Sequence, residues 1–142
     1  PDNLRLTDTV NASFPSRHMF MSGVILLPFI LFHLPQFSFR TTDPRFATLA
    51  ADPLGHYDVY SMMVLGFMSP LVSGFYILAM FLLALHLSHG SSSFFQSLGL
   101  NNQNLAPRLA FAGRVFAWAL FVGYSSIPAA VLLGWVYLGR PA

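Results

Sequence analysis

Three long stretches without a formal charge dominate the hydrophobic pattern of this chain. They cover residues 18–39, 59–107 and 115–139. A helix rises about 1.5 Å per residue and a bilayer core is about 30 Å thick, so about 20 apolar residues cross it once. The pattern therefore predicts an all-α integral membrane bundle with three transmembrane helices, forming a single transmembrane domain over residues 1–142.

The second uncharged stretch is too long for one crossing, and its polar residues decide how it divides. A cluster of Ser, Gly and Asn begins at residue 88, which predicts that the helix ends there and that a re-entrant or interfacial stretch follows at about 92–99. We expect span A at about 18–37, a loop at 38–57, span B at about 58–89, an interfacial segment at 90–106 and span C at about 107–139.

Prolines refine these spans. Pro28 and Pro35 predict a kink or an early end in span A, and Pro70 predicts a kink in span B. Pro107 suits the first turn of span C, where its missing N–H costs nothing. Trp135 and a nearby tyrosine are expected to anchor the far end of span C at the membrane interface.

Composition agrees with lipid as the main solvent. The 142 residues are 55% hydrophobic and only 8% charged, about a third of the charged share of a soluble domain. The net charge of +2 is spread over loops, which excludes a basic patch for nucleic acid. The absence of cysteine excludes disulfides, zinc–thiolate sites and iron–sulfur clusters held by this chain.

His33 and His86 are the polar groups that the apolar spans must accommodate. Each lies near the end of its span without a carboxylate in helical reach, and an unpaired polar nitrogen in lipid costs several kcal/mol. A bond to a backbone carbonyl or hydroxyl on a neighbouring helix is one explanation. If spans A and B are antiparallel, the two rings lie roughly 15 to 20 Å apart along the membrane normal. They could then not ligate one haem, and two haems would each need a second ligand from elsewhere.

The remaining histidines give less support for a binding site. His86 and His89 share a helix face, but a hard divalent metal would also want a carboxylate there. His89 is better placed at the membrane boundary, to hydrogen-bond a propionate, a quinone carbonyl or water. His18 and His56 are expected at the surface.

Several short motifs form one recognisable arrangement. They are Ser16-Arg17, Ser22-Gly23 followed after nine residues by His33, Phe75-Tyr76 followed after nine residues by His86, and the runs "MSPLVSGFY" and "HLSHGSSSFFQSLGLNN". Over residues 16–104 the chain resembles the cytochrome b membrane anchor of succinate:quinone oxidoreductases (complex II), of the single-subunit, five-helix, two-haem type. Span C fits that family by position and hydropathy only.

The resemblance implies that the three spans are the last three of a five-helix anchor. His33 would be one axial ligand of the distal haem b and His86 one of the proximal haem b. The family takes the opposing ligands from its first two spans, which this chain lacks. A longer chain or a further membrane polypeptide would supply them, or the haem sites are lost. Arg17 and His89 would lie near the propionates.

Small residues would let a macrocycle approach the helices, namely Ser22, Gly23, Ser73 and Gly74. Ordinary helix packing is the competing explanation.

The implied function is electron transfer between an iron–sulfur subunit and membrane quinone, with menaquinone the expected type. The chain would then be a subunit of an oxidoreductase in a bacterial cytoplasmic membrane, and a flavoprotein subunit would carry the succinate chemistry. The segment from His89 to Gln96, with Ser92 and Ser93, is a candidate quinone site. The alternative is a non-catalytic structural subunit of a larger respiratory complex. A transporter fragment is disfavoured because no Asp or Glu lies inside the apolar stretches that would be embedded in the membrane.

Overall fold

The computed structural model describes residues 14–49, 51, 55–99 and 104–139, and side chains from residue 20 onward except that of Gln96. Within these residues the chain is all-α, with no strand. The helices are α1 (Phe14–His33), α2 (Val59–Phe67), α3 (Pro70–Ser97) and α4 (Ala106–Leu132), with a π-helical turn at Leu34–Ser38 and a 3-10 turn at Pro44–Thr48. Three stretches are long and apolar enough to cross a bilayer, Phe20–Ser38, Pro70–Phe95 and Ala106–Leu132. The prediction of a three-span membrane protein is confirmed.

Helix α1 begins and ends four residues before the predicted bounds of span A, and a π-helical turn continues it to Ser38. Pro28 is accommodated inside it, and Pro35 coincides with a change from α to π geometry, in which Phe39 N–H donates to the Leu34 carbonyl at 2.8 Å. Pro35 has no N–H to continue the α-helical ladder, so a wider turn is one way for the chain to go on. The turn carries Gln36, whose side chain is only 2% exposed.

Span B is two helices rather than one kinked helix. The helical geometry is interrupted at Met68 and Ser69. Pro70 has no N–H to donate to the preceding turn, and it disfavours helical geometry in the residue before it. The break frees the Phe67 carbonyl, which accepts a 2.7 Å hydrogen bond from Ser73 Oγ. Ser73 is 0% exposed, so this bond satisfies a carbonyl that water does not reach.

Removing that bond is expected to destabilise the fold. Ser73→Ala leaves the Phe67 carbonyl unpaired in a buried position, and we expect a loss of about 1–3 kcal/mol. Unfolding of the purified chain from lipid micelles by a denaturing detergent measures it. Ser126→Ala is the matched control, since Ser126 Oγ donates to its own helix at an exposed site. Equal unfolding midpoints for the two variants would contradict the assignment.

Helix α3 continues to Ser97, so the predicted end at residue 89 is wrong. The serines do not break the helix because their hydroxyls can bond to its own carbonyls: Ser91 Oγ donates to Ser88 O at 3.4 Å and Ser97 Oγ to Phe94 O at 2.7 Å. The segment expected to be interfacial is therefore helical over residues 90–97.

Helix α4 begins at Ala106, with Pro107 in its first turn as predicted, and ends seven residues before the expected end at 139. Gly134 has φ +71°, its N–H donates to Val131 O, and Trp135 N–H donates to Ala130 O at 2.9 Å. This is a Schellman C-cap, in which a left-handed glycine ends the helix. Trp135 and Tyr137 follow it with exposed side chains, as expected of interfacial anchors.

The loop between α1 and α2 is tied back to the helices. Arg45 forms an ion pair with Asp43 at 2.6 Å, and this bond holds the pKa of the Asp43 carboxyl below its usual value. The same guanidinium donates to the Leu65 carbonyl near the end of α2 at 3.4 Å. Asp58 caps α2 by accepting from Ser61 N–H, and hydrogen bonding to Ser61 lowers the pKa of its carboxyl. These contacts fix where the chain re-enters the bundle.

Helix α3 is the central element, packing against both α1 and α4. A buried core lies at one end of the bundle, around Val64, Phe67, Tyr76 and Val131. Aromatic side chains surround it, including Phe29, Phe32, Phe37 and Phe75. Much of the remaining apolar surface faces outward, as expected where lipid or further helices cover the bundle.

Candidate functional site

The packing of α1 against α3 brings each histidine to a hydroxyl on the other helix. His86 on α3 lies beside Ser22 of α1, and His33 at the end of α1 lies beside Tyr76 of α3. The pairing is antiparallel, because the earlier residue on α1 meets the later residue on α3. Ser22 and His33 are eleven residues apart along α1, which corresponds to about 16 Å. The two histidines therefore lie at separate levels along the helix pair.

The His86 site is built from small residues. Its Nδ1 lies 2.7 Å from Ser22 Oγ, and its Cε1 lies 3.7 Å from the position that a Cβ on Gly23 would occupy. The ring and both small residues are half-buried. Ser22 and Gly23, which the sequence groups with His33, therefore form part of the His86 environment.

The His33 site is built from aromatic rings. Its Nδ1 lies 3.2 Å from Tyr76 Oη. Its ring centroid lies 5.6 Å from that of Phe29, 5.8 Å from that of Phe37 and 5.9 Å from that of Tyr76. Tyr76 is 5% exposed, so its hydroxyl meets His33 in the buried core described above.

Both histidine rings form their hydrogen bonds through Nδ1. Within the described part of the chain, the hydrogen bonds of His33 and His86 are made at Nδ1 alone. The buried side-chain atoms without a partner there are Gln36 Oε1, Ser88 Oγ and Ser125 Oγ. Neither Nε2 atom is among them, and both rings are only half-buried.

This arrangement fits an axial haem ligand at each level. A histidine that ligates iron through Nε2 is usually oriented by a hydrogen bond at Nδ1, and Ser22 and Tyr76 stand at that position. No three His, Cys, Asp or Glu side chains converge among the residues that the structure describes. His86 at the level of Ser22 and His33 at the level of Tyr76 are therefore the two candidate ligands, one at each level.

The other expected site residues have different surroundings. Arg17 lies in α1, but its side chain is outside the described part of the structure. His89 is exposed, and its Nδ1–H donates to Leu85 O at 2.9 Å. Gly74 faces open space. The expectation that Ser73 opens room for a macrocycle is wrong, because its buried hydroxyl closes the helix break.

The surroundings of two residues, Tyr76 and Gln36, were not predicted from the sequence. Tyr76 appears in a motif of the resemblance, but its contact with His33 was not anticipated. A buried tyrosine hydroxyl usually needs a partner, and an antiparallel pairing would have brought His33 to its level. Gln36 is nearly inaccessible, and its Oε1 has no hydrogen-bond partner in the described structure. Its position near a predicted helix end gave no sign of burial.

Comparison with known proteins adds no family assignment: no family model, curated protein or solved structure matches this chain.

Proposed function

We propose that the chain is a haem b-carrying membrane anchor that passes electrons between the iron–sulfur subunit of a succinate:quinone oxidoreductase and membrane quinone. The observation that carries the proposal is the pair of half-buried imidazoles at two levels of the bundle, each with Nδ1 beside a hydroxyl of the neighbouring helix. The motif resemblance around His33 and His86 supports the same function. The chain would act as a subunit of that enzyme.

The residues of the chain would position and tune two haem b groups. Bis-histidine haem carries single electrons and has no open iron position for oxygen. His33 and His86 would each supply one axial nitrogen, while Tyr76 and Ser22 hold the rings. The aromatic rings around His33 make its surroundings less polar than the serine and glycine around His86, so the two potentials are expected to differ.

The proposal requires partner polypeptides next to the Nε2 side of His33 and of His86. The opposing axial ligands would come from a further membrane polypeptide or another segment of a longer chain. A flavoprotein and an iron–sulfur subunit would complete the enzyme on one membrane surface. The three apolar helices support a multi-pass membrane location, and the bacterial cytoplasmic membrane is the location that the resemblance implies.

A quinone site is proposed at the end of α3 that carries His89. Because His89 Nδ1–H donates to the Leu85 carbonyl, its Nε2 is left as a hydrogen-bond acceptor in the neutral ring. That atom suits the hydroxyl of a quinol, and Ser92 and Ser93 add further hydroxyls one turn away. Menaquinone is the expected quinone type.

Haem content of the purified complex tests the proposal. We expect the absorption band of reduced b-type haem, with two haems for each copy of the chain, and reoxidation of that band by added menaquinone analogue. Succinate or fumarate turnover in the same preparation would identify the partner subunits. A complex that retains its other subunits but contains no haem would contradict the proposal, and would favour a purely structural subunit.

A further inference from the structure

Each histidine has one hydroxyl group within hydrogen-bond distance of its Nδ1. The two hydroxyl groups differ in the other hydrogen bonds that they can form. A neutral imidazole carries one proton, and the hydrogen bond at Nδ1 decides which nitrogen holds it. A hydroxyl that accepts from Nδ1–H leaves Nε2 bare. A hydroxyl that donates to Nδ1 leaves the proton on Nε2.

Ser22 lies within helix α1. A serine inside a helix can donate its own proton to the carbonyl of the preceding turn. Its oxygen lone pairs are then directed at a neighbour, here His86 Nδ1 at 2.7 Å. With its own proton on that carbonyl, Ser22 Oγ accepts a hydrogen bond from His86 Nδ1–H.

Tyr76 is in the opposite position. Its phenolic oxygen extends beyond the reach of its own helix carbonyls, and it is buried in the aromatic core. In the described structure its hydrogen bonding is confined to His33 Nδ1, at 3.2 Å. A buried hydroxyl proton without an acceptor is costly, so the Tyr76 proton must point at Nδ1. Nδ1 then carries no proton of its own.

We infer that the two histidines rest in opposite neutral tautomers. His86 holds its proton on Nδ1 and presents a bare Nε2, whereas His33 holds its proton on Nε2. Tyr76 and Ser22 are the positioning residues that impose this difference. The inference about the tautomers stands on the hydrogen bonds alone, while its consequence for haem rests on the proposed function.

The consequence is an order of loading: the His86 site binds haem before the His33 site does. His86 can coordinate iron through Nε2 as it stands. Before His33 can coordinate iron, its proton must move from Nε2 to Nδ1. Nδ1–H then donates to the Tyr76 hydroxyl, and the buried Tyr76 proton is left without an acceptor. That loss corresponds to an affinity about 5- to 150-fold weaker at the His33 site for the same opposing ligand.

Nitrogen-15 spectra of histidine-labelled full chain in lipid nanodiscs, without haem, test the tautomers directly. The spectra are recorded at a pH of about 8.5, above the usual titration range of histidine side chains, and His33→Ala and His86→Ala assign the signals. We expect a protonated Nε2 in His33 and a protonated Nδ1 in His86. Tyr76→Phe should abolish the preference of His33 alone, and Ser22→Ala that of His86 alone. The control Tyr60→Phe removes a hydroxyl that donates to the Tyr137 carbonyl and should change neither. The same tautomer in both rings would overturn the inference.

Titration with ferric haem separates this inference from the proposed function. Imidazole in solution supplies the opposing ligand. His33→Ala, which keeps His86, should bind haem about 5- to 150-fold more tightly than His86→Ala. Equal or reversed affinities would overturn the order of loading. If the unsubstituted chain binds no haem, the proposed function fails, whereas the haem-free spectra still decide the tautomers.

Discussion

If the chain carries two haems as proposed, replacing His86 by alanine should remove one of them from the purified complex, and replacing His33 by alanine should remove the other. Under the proposed function each haem has one axial ligand from this chain, so the loss of that ring leaves its iron with at most one axial ligand. The haem-to-protein ratio, measured from the absorption of the reduced pyridine complex, should fall from two to one. A redox titration of each variant should lack a different step, because the surroundings of the two rings differ.

The double variant gives the sharper result. With both histidines replaced, the complex should contain no haem while its subunits remain assembled. His56→Ala is the control, since His56 lies in the loop before α2, outside the apolar spans. Full haem content in the double variant would exclude both residues as ligands and favour the structural alternative.

Replacing Gly113 by alanine is expected to destabilise the contact between α3 and α4, although alanine is the better helix former by about 1 kcal/mol. A Cβ at residue 113 would lie 2.5 Å from Ser91 Cβ and overlap the serine hydroxyl. Rotation of the hydroxyl cannot relieve the contact with Cβ, so the helices must separate. Overpacking of this kind costs about 1–3 kcal/mol, and Gly113→Leu should cost more.

The same detergent-induced unfolding experiment measures the effect. Gly123→Ala is a matched control on the same helix, because nothing lies within 4 Å of a Cβ placed there; it should be neutral or stabilising. Adding Ser91→Gly to Gly113→Ala should restore much of the lost stability, since it removes the atoms that clash. Additive effects of the two substitutions would show that residues 91 and 113 are not coupled.

The spans and the depth of the histidines could be predicted because both follow from one-dimensional rules. Uncharged length fixes the number of crossings, and the rise per residue fixes the distance between His33 and the level of His86. The end of α4 was also readable, since Gly134 before Trp135 is a typical helix stop. The prediction of an end at about 139 instead followed the uncharged, apolar sequence, which continues to that residue.

The remaining features depend on which side chains meet. Pro70 predicts a disturbance in the helix, but only the Ser73 hydroxyl, placed to satisfy Phe67, makes a complete break stable. The serines after residue 88 have low helix propensity, yet Ser91 is small enough to pack against Gly113, and this contact accompanies the continuation of α3. Tyr76 acquires its role only through the register between α1 and α3.

Helix α4 also indicates where the lipid boundary lies. Its 27 residues extend about 40 Å, whereas the bilayer core is about 30 Å thick. The exposed Arg108 and Arg114 occupy its first turns, so the uncharged part begins at Val115 and spans about 27 Å to Leu132. The first two turns must therefore stand among the phospholipid headgroups. Antiparallel packing brings the end of α3 beside them, so its serine-rich turns are expected to extend out of the hydrocarbon into the same headgroup layer.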